Sequence, residues 1–455
     1  MPKSFGFWTL SFLVVANMIG AGVFTTSGFS LRDLGTPQAV VWAWAIGGSV
    51  ALAGATSYGL LVRAMPESGG EYLFLSRAAH PVFGFIAGWV SLIAGFSGAI
   101  AFAATAFEGY ALPKEFRPAW LPERSVAVAI IVLAGLFHGV QVRVGALVQN
   151  VLVALKLVLL AAILTFAASH LPGGEPARGK PVDSGLSGWG LASALATSLV
   201  WISLSYSGFN AAVYVADEVR DARRVVPRAL LAGTLAVTVL YVLLNAAFVF
   251  SAPPEQLAGM ADVAAIAARA VGGPSFEAFV RGTIALCLLT SVFSMLMAAP
   301  RVYAKMAGDG LLPACLRFDG AAPRAATLVQ AALAMGLVWA STLQGLLSYL
   351  GLTLSLSAAG SACCLFLPSV RTKPLCHPVH LAPAFYVTAT LAAAAIMTCF
   401  DPRQLVGTGL TFAAGAAAYA ARRRVVPRDQ RLRSLLSPGA VAGPGTSASD
   451  AAKSE

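Results

Sequence analysis

Twelve apolar runs, most of them near the ~20 residues that cross a bilayer as a helix, leave this 455-residue chain few possible architectures. They fall at 5–30, 37–62, 82–112, 125–141, 146–169, 189–216, 228–251, 276–305, 325–344, 346–368, 381–399 and 404–421. Hydrocarbon offers no partner to backbone N–H and C=O groups, so such runs become helices whose bonds close internally. Composition agrees, since 58% hydrophobic against 11% charged residues is too little polar surface for a water-facing shell. The expectation is an all-α integral membrane protein with twelve transmembrane helices and the lipid bilayer as its surroundings. A net charge of +11 would point to nucleic acid in a soluble protein. Here it sorts by side: with the amino terminus inside, 21 of the 31 Lys and Arg fall in inner loops and tails, while the 20 acids divide equally. That asymmetry is the positive-inside pattern, so both termini are expected in the cytoplasm and no nucleic-acid partner is inferred. The first run is too long for a signal-peptide core and is read as retained.

The first run is interrupted at Asn17-Met18-Ile19-Gly20-Ala21-Gly22-Val23-Phe24. Each Gly weakens a helix by ~1 kcal/mol relative to Ala, and a break at this depth is tolerable only where it lines a cavity or a ligand. The alternative is a Gly-mediated contact between helices. A second interruption in the sixth run, Ser203-Leu204-Ser205-Tyr206-Ser207-Gly208-Phe209-Asn210, favours the site. Breaks in runs 1 and 6 are what a repeat of five helices followed by another five produces, the pointer to a transporter built from inverted repeats. The five His and six Cys form no cluster at ligand spacing, so neither a metal site nor a disulfide framework is expected. For the same reason a membrane-embedded hydrolase is disfavoured: no catalytic residue and no cofactor are assigned.

Four segments carry a family resemblance. Asn17 to Phe24 is the first, and Met65-Pro66-Glu67-Ser68-Gly69-Gly70-Glu71-Tyr72 the second. The third runs from Tyr206-Ser207-Gly208-Phe209-Asn210 through Asp217-Glu218-Val219 to Val226-Pro227-Arg228-Ala229, and the fourth from Pro300 to Pro313. In this order the chain resembles the amino acid–polyamine–organocation permeases over residues 5–420. The resemblance implies the leucine-transporter fold, with a first repeat at 1–170, a second at 171–370, two further helices at 371–421 and a cytoplasmic, disordered tail at 422–455. It also implies alternating access in the plasma membrane, with an amino acid or amine as substrate. Oligomeric state is not legible in these residues.

Backbone chemistry orients such a substrate. N–H groups of Ala21 and Gly22 open the second half of helix 1, where the positive end of a half-helix dipole favours a carboxylate. Carbonyls of Met18, Ile19, Leu204 and Ser207 suit an ammonium, so a zwitterionic α-amino acid fits. Gly20, Gly22 and Gly208 are expected to resist enlargement, and Tyr206 and Phe209 are candidates for an aromatic gate. The pocket segments, Asn210 included, hold no acid or base. A neutral amino acid follows, because a charged side chain buried without a partner costs several kcal/mol.

Of the ionisable residues within the runs, Glu108, His138, Asp217 and Glu218 lie near the ends, where structural pairing is the expectation. Lys156 is mid-way along helix 5. By resemblance, its ammonium takes the place of a cation otherwise held by helix 1 carbonyls near Gly20 and Val23 and by helix 8 hydroxyls, here Ser291 and Ser294. Protons are then the expected coupling ion. An exchanger in which Lys156 is a fixed surrogate cation, and a non-transporting amino-acid sensor, are the alternatives.

Overall fold

The structure, a computed structural model, describes residues 5–113, 116–139, 146–170, 186–308, 312–316, 324–371 and 373–425. The separator between the fourth and fifth runs and the tail beyond 425 lie outside them. Among the described residues the regular structure is helical, with a single isolated bridge pairing Phe5 with Val219. Among the described residues, eight helices are long and apolar enough to cross a membrane, and a ninth span appears if the bent pair Phe7–Met18 and Gly22–Leu34 is counted together.

That pair, α1 (Phe7–Met18) and α2 (Gly22–Leu34), meets at 45°. Next comes α3 (Pro37–Ala64), whose Thr36 side chain accepts from Ala39 N and whose Pro37 sits where its missing N–H costs nothing. A short helix, α4 (Gly70–Ala78), follows in the loop. The third run folds as α5 (Pro81–Val90), a π-helical stretch Ser91–Gly98, and α6 (Ala99–Ala111). Then come α7 (Ser125–Gly139), α8 (Ala146–His170) and α9 (Trp189–Tyr206). A 3-10 segment, Ala211–Glu218, leads into α10 (Ala222–Phe250), which takes Pro227 in its second turn. After α11 (Pro254–Leu257), α12 (Val263–Gly308) turns at Gly273, where φ is +71°. The chain ends in α13 (Arg324–Ala340), α14 (Leu343–Cys363), α15 (Leu381–Phe400) and α16 (Gln404–Val425).

The broken pair α1/α2 packs on α9 and α10, and α3 lies along α10. Buried between them is an aromatic cluster in which the Trp44 ring lies 5.8 Å from Tyr206 and 5.5 Å from Tyr241. The outward faces are apolar too, with Trp8, Trp42 and Leu235 more than half exposed, as a lipid-facing surface requires. At one end, Glu108 is buried and accepts from Arg117 and from the N–H groups of Arg124 and Ala127, capping α7 locally as expected.

Candidate functional site

Backbone hydrogen bonding stops at Ile19 N, which donates to Val15 O, and resumes at Phe24 N, which donates to Ala21 O. Among the described residues, the N–H groups of Gly20, Ala21 and Gly22 donate to no backbone carbonyl. These are the groups a carboxylate needs, at the first turn of a 13-residue helix. The first interruption therefore lies where the sequence puts it.

The second is shorter than expected. Ser203, Leu204, Ser205 and Tyr206 remain helical, and the serines find partners: Ser203 Oγ donates to Val200 O and Ser205 Oγ lies 3.5 Å from Thr26 Oγ1 of α2. The helix ends at Ser207, whose ψ of 147° leaves the helical region, and turns at Gly208 with φ +96°. Ser207 N donates to Leu204 O at 3.0 Å, so that carbonyl is already half satisfied.

The two breaks are packed against each other. A Cβ on Gly208 would lie 2.8 Å from Asn17 O, and one on Gly22 would overlap Ser205, whose Cα stands 3.0 Å away. Gly22 is thus a close-approach glycine between helices, while a Cβ on Gly20 would meet nothing nearer than Met18 O at 3.9 Å. Met18 O accepts from Tyr241 Oη at 2.5 Å, which pins the end of α1 to α10. Behind it runs a polar chain: Trp44 Nε1 donates to Ser27 Oγ, Ser27 Oγ to Asn245 Oδ1, and Asn245 Nδ2 to Tyr241 O, at 2.8, 2.6 and 2.9 Å. Sequence reasoning passed over Tyr241, Asn245 and Ser27. A tyrosine and an asparagine one turn apart inside an apolar run were the available signal.

The aromatic candidates separate. Tyr206 is buried, its ring lying tilted against both Trp44 and Tyr241, with its hydroxyl donating to Trp44 O at 3.3 Å. Phe209 lies beyond the break, edge-on to Tyr58 and near Tyr386, with ring centres 5.3 and 6.2 Å away. The Asn210 amide donates to Glu71. The π-helical stretch Ser91–Gly98 presents Gly95 and Gly98 to Leu354 and Leu350 of α14.

Lys156 is 7% exposed, and its ammonium donates to Ser291 Oγ at 3.3 Å; Ser291 in turn donates to Cys287 O. Ser294 is half-buried further along α12, and Val23 is buried in the first turn of α2. Among the described residues no group of three His, Cys, Asp or Glu is placed to hold a metal ion.

Two discontinuous helices with their broken ends packed together, and backbone donors without backbone partners at the join, are the features by which membrane transporters with broken helices are recognised. The chain belongs to the amino acid permease family, whose model matches residues 5–400. It is 25% identical over 322 residues to Asc-type amino acid transporter 1 of Mus musculus, covering 70% of this chain and 60% of that one. It is also 26% identical over 329 residues to large neutral amino acids transporter small subunit 2 of Homo sapiens, covering 70% and 60%. With human b(0,+)-type amino acid transporter 1 the identity is 28% over 253 residues, 54% of this chain and 51% of that one. The chain thus spans about three fifths of the length of the first two relatives. Membership of this family, together with its apolar helices, makes the protein a multi-pass membrane protein, and the family and the relatives are amino acid permeases and transporters.

Proposed function

We propose that the protein carries neutral α-amino acids across the plasma membrane by alternating access. Its twelve spans are arranged as two inverted repeats of five, at 1–170 and 171–370, followed by two more helices, with both termini in the cytoplasm. The observation that carries the reading is the pairing of the two breaks: the N–H groups of Gly20, Ala21 and Gly22 donate to no backbone carbonyl, and Gly208 of the second break packs against Asn17 O of the first. The substrate carboxylate lies on those donors, and its ammonium on the carbonyls of Ile19 and Ser207. The large neutral amino acids transporter among the relatives supports a neutral amino acid.

Lys156 couples the cycle to protons, its ammonium standing where a cation would otherwise bridge α2 and α12. An exchange reading draws on the same contact, since an ammonium held by Ser291 also serves as a fixed cation. Uptake into proteoliposomes, with proton and sodium gradients imposed separately and with internal amino acid present or absent, decides between them. Uptake driven by a proton gradient in sodium-free buffer, and lost in Lys156→Ala, is the expected result. Gradient-insensitive uptake that needs internal amino acid establishes exchange. Strict sodium dependence sinks both.

A further inference from the structure

We propose that Glu71 is a positioning residue: it holds the segment after the second break, Ala211–Glu218, against α3 and the loop that follows it, and loss of this hold opens the site at that end. The proposal deepens the alternating-access reading and rests on it. Glu71 lies in the first turn of α4 and is 7% exposed. Its carboxylate gathers three donors. Tyr58 Oη of α3 donates to Oε1 at 2.9 Å, the Asn210 amide to the same oxygen, and Tyr214 Oη to Oε2 at 2.5 Å. Tyr58 belongs to the static packing of α3, whereas Asn210 and Tyr214 belong to the chain beyond the break. One buried carboxylate therefore ties the two together.

Among the described residues Glu71 has no ion-pair partner. Its charge is met by neutral O–H and N–H groups alone, and hydrogen bonds to an ionised acceptor are roughly twice as strong as neutral ones. The surrounding backbone is shaped for this contact. Gly69 and Gly70 have φ of +149° and +57°, and a Cβ on Gly70 would sit 3.0 Å from Tyr214 Cζ, so both the turn and the overlying ring need glycine. Ser68 Oγ accepts from Asp217 N at 2.9 Å, a second tie to the same segment. These contacts give the Glu67–Glu71 stretch a physical purpose that its sequence alone does not reveal.

The segment so held has an irregular backbone. It joins α9 through Ser207 and Gly208, and its own helix is irregular at Val215. At its far end Phe5 N donates to Glu218 O at 3.3 Å, so the start of the α1 half travels with it. Weakening the Glu71 contacts thus loosens both half-helices that close one side of the site.

The test reads accessibility rather than flux. A cysteine placed at Ala21, a position 4% exposed, is alkylated with a bulky polar maleimide in purified, substrate-free protein whose six native cysteines are replaced. Glu71→Gln keeps the shape and removes the charge; we expect alkylation about tenfold faster, the factor equivalent to ~1.4 kcal/mol. Tyr214→Phe removes one donor and should give a smaller increase. Both are checked for monodispersity, and if Glu71→Gln does not fold, Tyr214→Phe and Gly70→Ala carry the test, each expected to speed labelling. Unchanged or slower labelling in the folded variants overturns the proposal, because a residue needed only for packing leaves this rate alone. Faster labelling in protein without flux retires the transport reading and keeps the latch. Normal flux in the parent with unchanged labelling in the variants retires the latch alone.

Discussion

Alanine at Gly208 should cost stability, whereas the same change at Gly20 should cost binding alone. At Gly208 the backbone has φ +96°, where an L-residue carries a penalty of ~1–2 kcal/mol. The new Cβ would also lie 2.8 Å from Asn17 O and 2.9 Å from Asn17 C. Both are backbone atoms of the facing break and cannot swing aside, so an overpacking term of ~1–3 kcal/mol adds. The total is ~2–5 kcal/mol, a large share of what holds an ordinary fold together. At Gly20, φ is not positive and the nearest atom to a Cβ is Met18 O at 3.9 Å, so the protein itself leaves room for a Cβ. Any penalty there falls on the ligand. Thermal unfolding of purified protein in one detergent, followed by equilibrium binding of a neutral amino acid, separates the two. Gly208→Ala should melt well below the parent, while Gly20→Ala melts with it. Gly20→Leu should also melt with the parent but bind at least about tenfold more weakly, equivalent to ~1.4 kcal/mol. A Gly20→Leu protein that binds like the parent would place the substrate elsewhere, and a Gly208→Ala protein of parental stability would refute the close packing of the breaks.

Three further outcomes follow from the same geometry. Tyr241→Phe deletes the hydrogen bond that Met18 O accepts and should lower stability by about 1 kcal/mol, or more because the carbonyl is buried, measured as a shift in unfolding midpoint. In competition against labelled substrate, leucine, alanine or serine should displace strongly while arginine, lysine and glutamate do not; equal competition by the charged set would show that a counter-charge has been overlooked. Lys156→Ala should abolish stimulation of uptake by an inward proton gradient in sodium-free vesicles, and stimulation that persists in this variant removes Lys156 from the coupling.

The candidate site was legible to the extent that it depends on backbone. Gly20, Ala21 and Gly22 break a helix because of what glycine does to a lone helix in lipid, and no tertiary partner is needed to say so. Helix 6 was harder to read. Three serines and a glycine mark a weak stretch, yet they do not say where it yields: Ser203 and Ser205 find partners in Val200 and Thr26, and the break falls at Ser207 and Gly208. The match between Lys156 and Ser291, 135 residues apart, came through resemblance, since no local pattern links them.

The sequence by itself determined the membrane class, the two discontinuities and the lack of Asp, Glu, Lys, Arg and His within them, because each follows from length, apolarity, residue type or the conformational freedom of single residues. Only the tertiary structure decided which polar groups are spent. Tyr206 is consumed by an aromatic cluster with Trp44 and Tyr241, Asn210 by Glu71, and Gly22 by contact with Ser205, while Gly20 is left open. The physical reason is that a hydrogen bond or a close approach needs two partners, and here the partners lie far apart in the chain. Glu71, 139 residues from Asn210, is the sharpest case: a glutamate in a loop by its sequence, and a buried three-donor anchor once the chain is folded.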